Sequence, residues 1–236
     1  MWSYFGSKSK IVGYYPPPKQ VRIIEPFCGS ARYSLKYWEN DICLFDKYDV
    51  VIGLWKWLQQ CSPQDILGLP VLTKGDKVSN YPQLTKDEKT LLGFLVQGAQ
   101  GKPANSVGTL DGIDVEKDLK RIAKNLFKIK HWKIELGSYE QIKNENATWF
   151  IDPPYQFGGQ HQYKHSNKHI DFVKLSGWCK SRTGQIIVCE NTKADWMNFK
   201  PMVKHSGANN TNTTEAIWSN LKTGFDLEQS SLNFDL

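Results

Sequence analysis

The chain has 236 residues, 40% hydrophobic and 13% aromatic, and a net charge of +6. That length suits one domain with an insertion and allows a sizeable core. No apolar run reaches the length of a membrane span, and the positive balance favours an acidic partner, nucleic acid being the natural one, although many ordinary enzymes are mildly basic.

Val21 to Glu25, "VRIIE", reads as a short buried strand closed by Pro26. A helix is expected over Ala31 to Trp38, a second strand over Cys43 to Asp46, and a helix over Asp49 to Gln60 with Val50, Leu54, Trp57 and Leu58 on one face. Strand and helix in alternation point to a parallel α/β sheet. Residues 62–80 are then mixed and turn-rich. Thr85-Lys86-Asp87-Glu88 is a capping box before an apolar helix. Gly98 to Gly112 reads as a polar, Gly-rich loop, and Asp114 as the cap of a helix in which Val115, Leu119, Ile122, Leu126 and Ile129 keep the helical period. Residues 61–130 therefore read as a small, mainly helical insertion. The α/β pattern resumes with strands in "WKIEL", "TWFID", "QIIVCE" and "EAIWSN" and a helix from Asp171 to Ser181. No repeat or low-complexity segment interrupts it.

In open α/β sheets, ligands bind at the carboxyl ends of the strands. "EPFCGSA", Glu25 to Ala31, turns the first strand into the first helix on small residues that let backbone approach a ligand, and Asp46 ends the next strand about 20 residues on, where an acid accepts ribose hydroxyls. The turn lacks a full GxGxxG, which favours a smaller nucleoside over a dinucleotide. Asp152 ends a third strand on the same edge, followed by Pro153, Pro154 and Tyr155. Two prolines fix two φ angles and remove two backbone donors. What remains is a carboxylate and a proline carbonyl as acceptors beside an aromatic face, a set suited to a planar group bearing an NH2. Holding both amine hydrogens directs the nitrogen lone pair out of the ring plane, with no metal and no strong base required. The plain alternative is a strand-ending turn that happens to contain Pro-Pro.

"DPPY" resembles the catalytic motif of amino-methyltransferases that use S-adenosylmethionine. The chain as a whole resembles the alpha-class, Dam-like DNA N6-adenine methyltransferases. The pieces that carry the likeness occur in that family's order: "YFGSKSKI" (Tyr4 to Ile11), "IEPFCGSARYSL", "LFDKYDVVIGLW", "ELGSYEQI", "IDPPY", "HIDFVKL", "QIIVCEN" and "TEAIWSN" (Thr214 to Asn220). They cover most of the chain outside residues 61–130. The resemblance implies a Rossmann-like methyltransferase domain with a mainly parallel sheet over residues 1–60 and 131–236, and a target-recognition insertion over 61–130. It implies S-adenosylmethionine as cofactor, contacted by Tyr4, Gly6, Lys8, Glu25, Phe27, Gly29, Ser30, Asp46 and Asp152. Asp152 and the carbonyl of Pro153, stiffened by Pro154, would hold the amino group while Tyr155 stacks on a base flipped out of the duplex. Transfer would be an in-line displacement helped by positioning. The chain departs from the family at Ser7 and Ser30-Ala31, which replace glycines, at Arg32, larger and more charged than expected, and at Ala147, where an acid is common.

The insertion is short for the family, which leaves room for a short site, relaxed specificity, a partner subunit or a homodimer. Lys102 and Asn105 in the Gly-rich loop, and Lys164 and Lys168 after the catalytic motif, are the DNA-contact candidates; Lys117, Lys120, Arg121, Lys124 and Lys128 form either a phosphate-facing or a solvated helix face. His161, His165 and His169 have a metal-like spacing, but Gly158-Gly159 and the polar surroundings read as a loop beside the site, and no metal is expected. Five cysteines without CxxC, and no signal peptide, point to reduced thiols in the cytoplasm of a bacterial or phage-infected cell. The same chemistry on cytosine N4 or on RNA adenine, and a non-catalytic nucleic-acid-binding subunit, stay open beside adenine in DNA.

Overall fold

The computed structural model describes residues 1–2, 4–96, 101–108, 113–158, 163–206 and 212–221; the side chains of residues 205, 206, 212 and 213 are not described. Seven strands form one sheet: β1 (Arg22–Glu25), β2 (Asp41–Asp46), β3 (Lys133–Leu136), β4 (Asn146–Ile151), β5 (Thr183–Asn191), β6 (Lys200–Ser206) and β7 (Asn212–Ser219). Their order is β3-β2-β1-β4-β5-β7-β6. The first five run parallel, and β7 is antiparallel to both β5 and β6. This is a Rossmann-like, mainly parallel sheet, and the strand order reverses between β1 and β4. Both strands at that switch point end on a candidate residue or one position before it, β1 on Glu25 and β4 just before Asp152.

Why β4 occupies the centre is visible in its burial. Ala147 to Ile151 are all buried, with no polar alternation, as expected of a strand covered on both faces. Side chains still alternate between two cores. Ile23, Leu44, Phe150 and Ile187 join a core on one face with α2 (Asp49–Gln60), α4 (Lys86–Leu95) and α5 (Val115–Asn125). Ile24, Cys43, Trp149, Ile151 and Val188 join the other, against α6 (Phe172–Lys180). The helical insertion shares the first core: Leu91, Phe94, Val115, Leu119 and Ile122 pack in one cluster with Trp2 and Trp55. Trp2 lies 4.6 Å from Trp55 and 6.0 Å from Phe94, ring centre to ring centre.

Several local expectations hold at the atom level. Thr85 and Glu88 form a reciprocal capping box on α4, and Asp114 and Asp171 accept the N–H of the third residue of α5 and α6, Lys117 and Lys174. Others change. The buried face of α2 is Val51, Leu54, Trp55 and Leu58, while Val50 and Trp57 are only half-buried. The helix is wedged between the sheet and α4, so the stripe that counts is set by two neighbours rather than one. The first helix, α1 (Arg32–Lys36), is shorter than Ala31 to Trp38: Ala31 takes a left-handed conformation at φ 45° and becomes its N-cap, and Tyr37, at φ −110° and ψ 41°, leaves helical geometry and closes it. A short α3 (Pro63–Leu67) lies in the stretch read as turns, opened by a Ser62–Asp65 capping box. Strand β6, also unforeseen, contains Pro201 beside a register irregularity; an edge position tolerates proline because its N–H is not needed by a neighbour. No helix among the described residues is long and apolar enough to cross a membrane.

The β4–β5 pair depends on one glycine. Gly184 has φ +103°, and a Cβ there would lie 2.2 Å from the Ala147 carbonyl oxygen and 2.8 Å from its nitrogen. Gly184→Ala is expected to destabilise the fold by about 1–3 kcal/mol from the backbone conformation alone, with the clash added. A lower urea midpoint at unchanged slope checks this.

Candidate active site

A cavity of about 260 Å³ opens at the carboxyl ends of the parallel strands. It sits at the small end of the range for small-molecule pockets. Its walls come from five places in the chain: the N-terminal segment (Tyr4, Gly6, Ser7, Lys8), the turn after β1 (Glu25 to Arg32), Asp46 to Tyr48 after β2, Gly137 to Glu140 after β3, and Asp152 with Pro154 after β4. Residues 163–166 and 169–171 close one side.

Each candidate on the cofactor side can be placed. Glu25 is 2% exposed and accepts the Ser34 N–H at 2.7 Å, so it ties the end of β1 to α1; burial pushes its carboxyl up to about 8, against the Ser34 hydrogen bond. Gly29 adopts φ +45°, and its N–H donates to Asp46 at 3.0 Å. The other Asp46 oxygen accepts the Tyr48 N–H at 2.9 Å. The strand-ending acid thus clamps the small-residue turn while facing the cavity, and burial raises its carboxyl above the usual range. Ser30 Oγ meets Ser7 Oγ at 3.2 Å. Phe27 and Tyr139, 5.5 Å apart, put aromatic rings on the wall. Tyr4 packs edge-on against Phe94 of the insertion.

Lys8 is the exception. The residue is 6% exposed, and its ammonium turns to the Asp152-Pro153-Pro154-Tyr155 motif, 2.8 Å from Asp152 Oδ1. It also donates to the Gly6 carbonyl at 3.1 Å, sits 3.8 Å from Glu215 and lies 4.7 Å from the centre of the Tyr155 ring. Burial disfavours its charge, but Asp152 and Glu215 outweigh burial and raise it. Asp152 is the counterpart: burial pushes its carboxyl up, Lys8 pulls it down and Glu215 pushes it up, which together leave it raised to about 6.

Glu215, on β7, went unassigned in the sequence although it is the hub of this cluster. Its Oε1 accepts the hydroxyls of Tyr15, at 2.6 Å, and of Tyr155. An acid in an otherwise apolar strand, Glu215-Ala216-Ile217-Trp218, was the available signal, since a buried carboxylate needs partners. Glu190 was likewise missed. It ends the buried run of β5 and accepts the Gln156 N–H at 2.6 Å and Trp196 Nε1 at 3.2 Å, pinning the chain just beyond the motif. Asp152 and Pro154 line the cavity; Pro153 is buried and Tyr155 half-buried outside its wall, one ring face beneath the Lys8 ammonium.

The nucleic-acid candidates are scattered. Lys164 is exposed at the cavity rim, and Lys168 is exposed near it. Lys102 is exposed in the insertion. Asn105 commits its side chain to Ser79, accepting from its N–H at 2.8 Å and donating to its hydroxyl at 3.1 Å. On α5, Lys120 pairs with Glu116 and Arg121 with Asp118. His165 and His169 face the cavity, and His161 lies outside the described residues. Among the described residues, no group of three or more His, Cys, Asp or Glu side chains is placed to hold a metal. The five cysteines are free and buried.

No protein-family model matches the chain, and no curated protein matches it. Solved structures similar to it include one provisionally described as a methyltransferase, yhhF from Escherichia coli, at 9% identity and a TM-score of 0.34, covering 89% of this chain and 78% of that one. Another, provisionally described as a methylase from Haemophilus influenzae, gives 11% identity and a TM-score of 0.37, with 86% and 81% covered. Likeness this remote carries no weight for the activity.

Proposed function

We propose that the protein transfers a methyl group from S-adenosylmethionine to the N6 amino group of adenine in DNA, acting on a base flipped from the duplex. One observation carries the reading: Asp152, an amine-accepting carboxylate, shares a single cavity at the sheet's switch point with the Glu25–Arg32 turn and Asp46. A nucleoside with an amino-acid tail fits that donor and acceptor set, with Asp46 and Glu25 for hydroxyls and Phe27 and Tyr139 for a base. When bound, S-adenosylmethionine supplies a methyl group on a positively charged sulfur.

The chain's own residues do the rest. Asp152 accepts an amine hydrogen and, with the Pro153 carbonyl, orients the nitrogen lone pair. Lys8 keeps the Asp152 carboxylate ionised and fixes its rotamer. Tyr155, anchored by Glu215, offers its ring to the base, and Lys164 and Lys168 meet phosphates.

Labelled S-adenosylmethionine with unmethylated duplex DNA, single-stranded DNA or RNA, followed by nucleoside analysis, tests this. N6-methyladenine in DNA is the expected product. Label in cytosine or in RNA would keep the chemistry and replace the substrate; cofactor bound with no label transferred would leave a binding subunit.

A further inference from the structure

Arg32 lines the cavity on the cofactor side, at the start of α1. Among the described residues, partners are present for two of its five N–H groups: Nε donates to Ser7 Oγ at 2.9 Å, and Nη2 to the Trp2 carbonyl. Both acceptors are neutral. Among the described residues no carboxylate lies within 4.0 Å of the guanidinium, whereas Arg22 holds two and Arg121 one. Burial pulls its pKa down to about 10, so it stays charged at neutral pH. The residue is half-buried; burial and Arg121 weigh against its charge, and Asp118 supports it only from beyond ion-pair distance, so an anion at the guanidinium would complete it. Lys8, the buried cation of this wall, is already taken by Asp152.

We infer that Arg32 is the binding residue for the carboxylate of the cofactor's amino-acid portion, with the Ser7 and Ser30 hydroxyls beside it. This rests on the proposed use of S-adenosylmethionine. Free N–H groups on Nη1 and Nη2 form the fork that a carboxylate accepts in two parallel bonds. Lys8, which the family resemblance gives to the cofactor, is freed from that duty and belongs to the catalytic cluster. A nucleic-acid phosphate is the other anion Arg32 could meet; its place beside the Asp46-clamped turn, rather than at the Lys164 rim, favours the small-molecule carboxylate.

Calorimetric titration without DNA separates the cases. The ligands are S-adenosylhomocysteine and its decarboxylated analogue, which differ only in the carboxylate; the proteins are wild type, Arg32→Gln and Arg32→Lys. Wild type should prefer the carboxylate-bearing ligand by about 10-fold to 100-fold. Arg32→Gln should lose that preference while binding the analogue as wild type does, and Arg32→Lys should regain part of it. An unchanged preference in Arg32→Gln overturns the assignment. So does an equal weakening of both ligands, which would show that Arg32 acts only by holding Trp2 and Ser7. If wild type binds neither ligand, the cofactor reading itself fails.

Discussion

Asp152→Asn is expected to lower single-turnover methyl transfer by about 10²–10³-fold, the scale of removing one preorganised electrostatic group, with S-adenosylhomocysteine affinity nearly unchanged. Asparagine keeps the shape but puts an NH2 donor where the incoming amine also donates, and it leaves the buried Lys8 ammonium without the carboxylate 2.8 Å away. Asp152→Ala removes the acceptor altogether and should be no better. Wild-type turnover in either variant would remove Asp152 from the reaction. The acid limb of the rate profile is a second readout. Burial pushes the carboxyl up to about 6, so activity should fall as pH drops through about 6, well above the ordinary carboxylate range. The sign for folding is opposite. A raised acid favours the folded state most below its unfolded pKa, and that contribution is lost as pH rises through about 6. Activity and stability therefore move in opposite directions across the same window at this residue.

What the sequence disclosed follows from range. Strand periodicity and caps are local, so β1, β2, β4, β5, α2, the capping box at Thr85 and the cap at Asp114 could be read directly. The Glu25–Ala31 turn, Asp46 and Asp152 were legible because each ends or follows an apolar run, and topology then collects such ends on one edge. Strand β6 was not legible: Lys200-Pro201 looks like a loop until β7 provides a partner for an edge strand. The buried stripe of α2 was read in part: Leu54 and Leu58 are buried as expected, but Val51, Ile52 and Trp55 are buried as well, because α4, distant in sequence, covers another side. Glu215 is the sharpest case. It is separated from Tyr15 by 200 residues and from Tyr155 by 60, and no spacing rule joins them. The family likeness gave Lys8 to the cofactor, yet the fold delivers its ammonium to Asp152.

That last displacement has the other large consequence. In Lys8→Met, Asp152 and Glu215 lose the ammonium that stands between them in a buried site. Removing one partner of a buried ion pair typically costs about 3–5 kcal/mol, because the remaining charge stays desolvated. The fold should therefore be destabilised on that scale in urea at neutral pH, and less so in acid, where Asp152 is protonated and no longer needs the ammonium. Lys8 is also the group that holds Asp152 down against burial and Glu215. Without it the acid limb of activity should move above pH 6, so that turnover at pH 7 falls by about tenfold or more and recovers as the pH is raised. Lys8→Arg, which keeps the charge, should leave the limb near its wild-type position even if the rate suffers from the bulkier head group. A pure electrostatic role predicts little change in S-adenosylhomocysteine affinity for Lys8→Met. Should affinity collapse instead, with the limb still near 6, Lys8 would belong to the cofactor after all, and the carboxylate duty inferred for Arg32 would have to be shared or surrendered.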